Sequence, residues 1–169
     1  MKMIKFIGII TVISISAFAG LYFSSSLKNR VVMLKKLNYM LDEIMIMLRY
    51  RSATVYEIAE ALAADERFTE FEFLGSIKQE GEKPFRDSWC EAAEKCRLFG
   101  LKKSDTELIC DIGKKLGTSD LDGQMSVIKL WQAEVTSAIS SAESEYASKA
   151  KLYRTMGVLI GAFISIMLI

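Results

Sequence analysis

Residues Leu101–Gln124 read LKKSDTELICDIGKKLGTSDLDGQ, and their centre, Gly113-Lys114-Lys115-Leu116-Gly117-Thr118-Ser119, has two readings. A phosphate-binding loop needs Gly-x-x-x-x-Gly-Lys followed by Ser or Thr, set after a strand. With Gly113 as the second glycine, the first falls at position 108, which is Leu, and Lys115 stands where the hydroxyl is required. No strand pattern precedes the stretch. A helix fits better. Ser104-Asp105-Thr106-Glu107 reads as a capping box, and Leu108, Ile109, Ile112 and Leu116 share one face. Lys114 and Lys115 suit the negative end of the helix, and Gly117 stands where a left-handed residue stops it.

The rest of the composition points the same way. The chain has 169 residues, one Pro and 10 Gly, too few breakers for many strands joined by tight turns. Its net charge of +1 offers no basic surface for nucleic acid. Histidine is absent, which removes the commonest general base, the commonest metal ligand and every Ser-His or Cys-His pair. Cys90, Cys96 and Cys110 include no C-x-x-C pair and supply no usual zinc set, so they read as free, partly buried thiols in a reducing compartment. Glu57, Glu60, Glu91 and Glu94 lie at helical spacing beside Lys and Arg, the pattern of a solvated face. No catalytic, cofactor-binding or metal-ligating set emerges.

The two ends are apolar. Phe6–Leu27 holds 22 residues without a charge, about 33 Å as helix, bounded by Lys2 and Lys5 before and Lys28 and Arg30 after. Residues 4–27 are therefore predicted to be a transmembrane segment. A cleaved signal peptide is the rival reading, with Ala17-Phe18-Ala19 before Gly20 as its cleavage site, although Leu21-Tyr22-Phe23 continue the apolar run. Residues 155–169 are uncharged and show no polar face, which predicts a second span. Fifteen residues reach only about 22 Å, so Lys151 and Arg154 would snorkel and Tyr153 would anchor. Cations flanking the domain side favour a cytoplasmic middle domain, residues 28–154.

Two heptad seams flank that domain: Leu27, Val31, Leu34, Asn38, Leu41, Met45, Leu48, and Leu121, Met125, Ile128, Gln132, Val135, Ile139, Ala142, Tyr146. Both ends must enter one bilayer, so the two long helices are expected side by side and antiparallel. Asn38 and Gln132 either set register between them or lie at the stripe edges. Between them, Thr54-Val55-Tyr56-Glu57 is a capping box ahead of the face Val55, Ile58, Ala59, Leu62. Phe68, Phe71, Leu74 and Ile77 step by three, which predicts helix over a strand. Gly81-Glu82-Lys83 is a turn. Pro84 then opens a helix that turns Phe85, Trp89, Ala92, Ala93 and Cys96 to the core and ends near Gly100. The expected class is all-α, a bundle of about six helices bracketed by two transmembrane helices.

The run Leu101-Lys102-Lys103-Ser104-Asp105, with Gly113, Leu116-Gly117, Asp120 and Gln124 after it, resembles the stage III sporulation protein AB family of endospore-forming bacteria. The stretch FRDSWCEAA resembles a tryptophan-bearing helix of that family, with Cys90 following Trp89 and the small residues shifted. The likeness covers nearly the whole chain and rests on caps and packing positions. It implies a non-enzymatic subunit in the mother-cell membrane facing the forespore, within a secretion-like channel complex. It also implies a fold similar to the cytoplasmic domains of the type II secretion platform protein. The implied partners are the secretion-type ATPase of the same operon and other membrane subunits of the channel. The matched positions are Trp89, Asp105, Leu108, Gly113, Leu116, Gly117, Asp120 and Gln124. Of these, Trp89, Leu108, Leu116 and Gly117 read as core and cap, Asp105 as serving the first turn of its helix, Asp120 as a cap, and Gln124 as a partner contact. A membrane-tethered helical sensor, or an extracytoplasmic channel part, is the alternative. An enzyme is disfavoured by the missing histidine and the solvated carboxylates.

Overall fold

The computed structural model describes residues 2–78, 83–96 and 98–168; within the end helices, the side chains of 2–7, 9, 12, 165 and 168 lie outside the description. Among the described residues the fold is all-helical, with no strand. Its α-helices are α1 (Lys2–Ile46), α2 (Val55–Ala64), α3 (Phe85–Lys95), α4 (Lys103–Lys115) and α5 (Leu121–Leu168). By contact the chain divides into two compact units, Met1–Val31 with Ser141–Ile169, and Val32–Ser140.

In the second unit, α1 buries Met33, Leu34, Leu37, Met40, Leu41 and Ile44, a stripe at helical spacing. Its centre runs through Leu37, Met40 and Ile44, so Asn38 and Met45 of the expected seam are half-buried flanks. The α5 seam shifts in the same way: Trp131 takes the inward position between Ile128 and Val135, and Gln132 moves to the edge. Gln132 Nε2 donates to Asp42 Oδ1 at 2.5 Å. The two amides therefore do not pair with each other: Gln132 lies at the edge, whereas the Asn38 side chain is half-buried with its Oδ1 enclosed. The Gln132–Asp42 contact runs between antiparallel helices.

Thr54 caps α2 as expected: its hydroxyl accepts from the Glu57 N–H at 3.4 Å, and the Glu57 carboxylate accepts from the Thr54 N–H at 2.7 Å. Ile58, Ala59 and Leu62 are buried. The segment expected as one helix after it is two 3₁₀ turns, Glu66–Phe68 and Glu72–Ser76. Backbone bonds run from Phe71 to Phe68, Leu74 to Phe71 and Ile77 to Leu74, each spanning three residues. A strict step of three is the 3₁₀ repeat, whereas an α-helix would rotate the fourth apolar residue off the face. All four of these side chains are buried.

The turn expected at Gly81-Glu82-Lys83 lies largely outside the described residues. Pro84 is the N-cap of α3, one residue earlier than the helical position expected for it. Phe85, Trp89 and Ala93 are buried, and Ala92 and Cys96 pack beside them. The chain leaves the helix at Lys95, and Gly100 then turns it with φ +92°.

In the first unit, the two helices approach until backbones touch. A Cβ on Gly20 would lie 2.6 Å from the Tyr153 carbonyl oxygen, and one on Gly157 would lie 2.7 Å from that of Ser16. Ser16 Oγ donates to the Gly157 carbonyl at 2.6 Å. Gly20, which the cleavage reading places just after the signal, is thus a packing residue. Arg154 Nε donates to the buried Ser24 hydroxyl at 2.8 Å. The outer faces keep large apolar side chains exposed, among them Phe18, Phe23, Leu159 and Phe163. Among the described residues no helix is long and apolar enough to cross a membrane. The two bracketing spans expected at 4–27 and 155–169 are therefore not supported by the described helices, although the side chains of 4–7, 9, 12, 165 and 168, and residue 169, lie outside the description.

Gly117 does adopt a left-handed conformation, with φ +76°, but it does not cap α4 directly. The helix ends at Lys115, Leu116 is extended (φ −64°, ψ 128°), and the Thr118 N–H returns to the Lys115 carbonyl at 3.3 Å. That is a type II turn, which demands a positive φ at its third residue. A Cβ at Gly117 would also meet Val55 Cγ1 at 2.6 Å. Gly117→Val is expected to destabilise the fold by at least about 1 kcal/mol, read as a lower thermal midpoint of the purified chain. An unchanged midpoint would remove this turn from the account.

Candidate functional site

The matched residues gather around α4. Trp89 of α3 is fully buried, and its indole Nε1 donates to the Ile109 carbonyl at 2.8 Å. Its ring occupies the space a side chain at position 113 would need: a Cβ on Gly113 would fall 2.1 Å from Trp89 Cδ1. Phe73 and Phe85 pack on the same ring at centroid distances of 5.2 and 5.5 Å. Leu108 is buried on the core face of α4, and Leu116 is buried just beyond its end.

Asp105, itself buried, serves the first turn of α4, as expected. The helix starts earlier than Ser104-Asp105-Thr106-Glu107 suggested, because Lys102 is the N-cap and its N–H donates to Asp105 Oδ2 at 2.9 Å. Glu107 lies outside that cap, 3.7 Å from Lys103 on the surface. A carboxylate at the third helical position satisfies a free backbone donor and faces the positive helix end.

Asp120 and Gln124 close the loop between α4 and α5. Asp120 Oδ1 accepts from the Gly123 N–H at 3.2 Å, an N-cap bond. Gln124 reaches back across the loop: its Oε1 accepts from the Gly117 N–H at 2.9 Å, and its Nε2 donates to the Ser119 carbonyl at 2.9 Å. The amide expected to meet a partner thus holds the type II turn against the start of α5.

Several acidic side chains of the second unit are held as carboxylates by hydrogen bonds or ion pairs. Glu91 is held down at about 2 by hydrogen bonds from Lys83 and Lys95. The Thr54 N–H lowers Glu57, and Lys36 lowers Glu70. A general acid at neutral pH needs the opposite shift.

One grouping was not legible in the sequence. Cys90 and Cys110 are joined by a disulfide, with Cα atoms 4.6 Å apart, and only Cys96 of the three is free. This corrects the reading of three free thiols. The close approach of α3 and α4 brings together residues 20 apart in the chain, on two separate helices, which no local spacing could signal. Glu94, read as part of a solvated face, lies beside the pair, 3.6 Å from Cys90 Sγ and 4.0 Å from Cys110 Sγ.

Together these observations define an all-helical protein, among the described residues, whose patterned residues make packing, caps and a turn. The chain belongs to the stage III sporulation protein AB family, whose sequence model matches residues 5–169. A similar protein, the Stage III sporulation protein AB of Bacillus subtilis (strain 168), is 21% identical over 170 residues, covering 98% of this chain and 99% of that one. No solved structure matches the chain significantly. Membership places the chain among sporulation proteins.

Replacing Gln124 by Ala leaves the Gly117 N–H and the Ser119 carbonyl without their side-chain partner. The expected loss is about 1–2 kcal/mol, seen as a lower thermal midpoint, with Gln124→Glu falling between because it keeps the acceptor. A midpoint equal to the parent's would return Gln124 to the role of a surface contact.

Proposed function

We propose that this chain is a non-catalytic membrane platform, an assembly subunit of the mother cell–forespore channel complex. In this reading both apolar ends lie in the mother-cell membrane facing the forespore, and the unit Val32–Ser140 stands on the cytoplasmic side. Its partners are the secretion-type ATPase of the same operon and other membrane subunits.

The observation that carries the reading is the distribution of apolar surface in the first unit. Small residues and backbone form the seam between α1 and α5, while Ile15, Phe18, Leu21, Val158, Leu159, Phe163 and Ile166 remain exposed. In water so many exposed large side chains on one helix pair would be costly. In lipid, backbone contact through glycine is how helices associate, and outward apolar side chains carry no cost. No described helix is long and apolar enough to span, and the reading draws on the uncharged run Phe6–Leu27, in which the side chains of 6, 7, 9 and 12 lie outside the description. Tyr22 and Tyr153, with Lys151 and Arg154, supply interfacial anchors.

Alkaline carbonate washing and thiol labelling test this together. A single cysteine at the exposed position Tyr50, on a background lacking Cys90, Cys96 and Cys110, would be probed with an impermeant maleimide. The chain is expected to stay in the membrane pellet, and labelling to require permeabilisation of the cells. Release into the wash would remove the membrane from the reading. Labelling of intact cells would put the second unit outside and favour an extracytoplasmic channel part or a sensor.

A further inference from the structure

We propose that Cys90, Glu94 and Cys110, once the disulfide is reduced, form a binding site for one divalent cation of the zinc type. Cys90 and Glu94 are one turn apart on α3 and so share a face, and Cys110 is presented by α4. The three ligand atoms already lie within 4.8 Å of one another.

The distances suit a tetrahedron. With Zn–S near 2.3 Å and Zn–O near 2.0–2.2 Å, ligand atoms sit about 3.5–3.8 Å apart along its edges. Glu94 Oε1 stands 3.6 Å and 4.0 Å from the two sulfurs, so both sulfur–oxygen edges are nearly in place. Only the sulfurs must separate, from bonding distance to an edge, by side-chain rotation. The donor set also suits the ion, since two thiolates and one carboxylate favour zinc over magnesium or calcium. Among the described residues no basic side chain sits within ion-pair distance of Glu94. A depression of about 700 Å³ lined by Glu94, Cys110, Lys103 and Lys114 opens on the group, which leaves water a fourth position and gives reductant and metal a route in.

The disulfide and the bound cation exclude each other, so the site is redox-gated. A dithiol gives two electrons and two protons to the Cys90–Cys110 bond and is itself oxidised to a disulfide. The cation then binds the two sulfurs and displaces both thiol protons to solvent. Sulfur pairing would hold α3 to α4 in one state and metal in the other.

The test uses the full chain in detergent carrying Cys96→Ser, reduced with a dithiol that is then removed under argon. Cobalt(II) is titrated in as a spectroscopic stand-in for zinc. The reduced protein is expected to take up one equivalent and to show thiolate-to-metal charge-transfer absorption together with the strong visible bands of tetrahedral cobalt. Zinc should abolish both. The oxidised protein should show neither, and Cys90→Ser, at the half-buried position, should lose the charge-transfer band. Glu94→Gln, which keeps the shape of the side chain, should weaken binding at least about tenfold. Absence of the band in the reduced protein, or its persistence in Cys90→Ser, would overturn the site. Undiminished affinity in Glu94→Gln would overturn the three-ligand geometry.

Discussion

The Trp89 indole occupies the volume that any side chain at position 113 would need. With glycine there, α3 and α4 come close enough for the ring to reach the Ile109 carbonyl and for Phe73 and Phe85 to pack around it. The same approach brings Cys90 to Cys110 and sets Glu94 beside both sulfurs. Burying an indole with its N–H satisfied is strongly favourable, and packing at interior density leaves little room for adjustment. One small residue therefore decides how two helices meet, and the disulfide and the candidate metal site follow from that meeting.

Much of this was readable from residue order because it depends on local chemistry. Thr54 and Glu57 form their box within four residues, Asp120 caps its own helix, and Gly117 takes a positive φ that few other residues tolerate. The step of three through Phe68, Phe71, Leu74 and Ile77 held the right answer in a form easily taken for an α-helix. Features that depend on how helices meet were hidden. The sequence showed a stripe on each long helix but not its rotation, so Trp131 and Gln132 exchanged inward and edge positions. Gly113 stood in the pattern without a stated reason, because that reason is an indole 24 positions earlier in the chain. The cysteine pairing was invisible for the same cause.

The positions singled out by the resemblance thus have structural places within the second unit. Trp89, Gly113, Leu108 and Leu116 pack, Asp105 and Asp120 cap, and Gly117 with Gln124 fixes the last turn.

The central claim is that these positions are mutually dependent packing and not independent contacts, and one comparison tests it most directly. Gly113→Ala would be made in the parent chain and in Trp89→Leu, with thermal unfolding of all four proteins followed in detergent. In the parent the added methyl should lower stability by about 1–3 kcal/mol, because the indole cannot give way. With the indole gone, the same change should be neutral or stabilising, since Ala favours a helix over Gly by about 1 kcal/mol. An equal loss in both backgrounds would contradict the account.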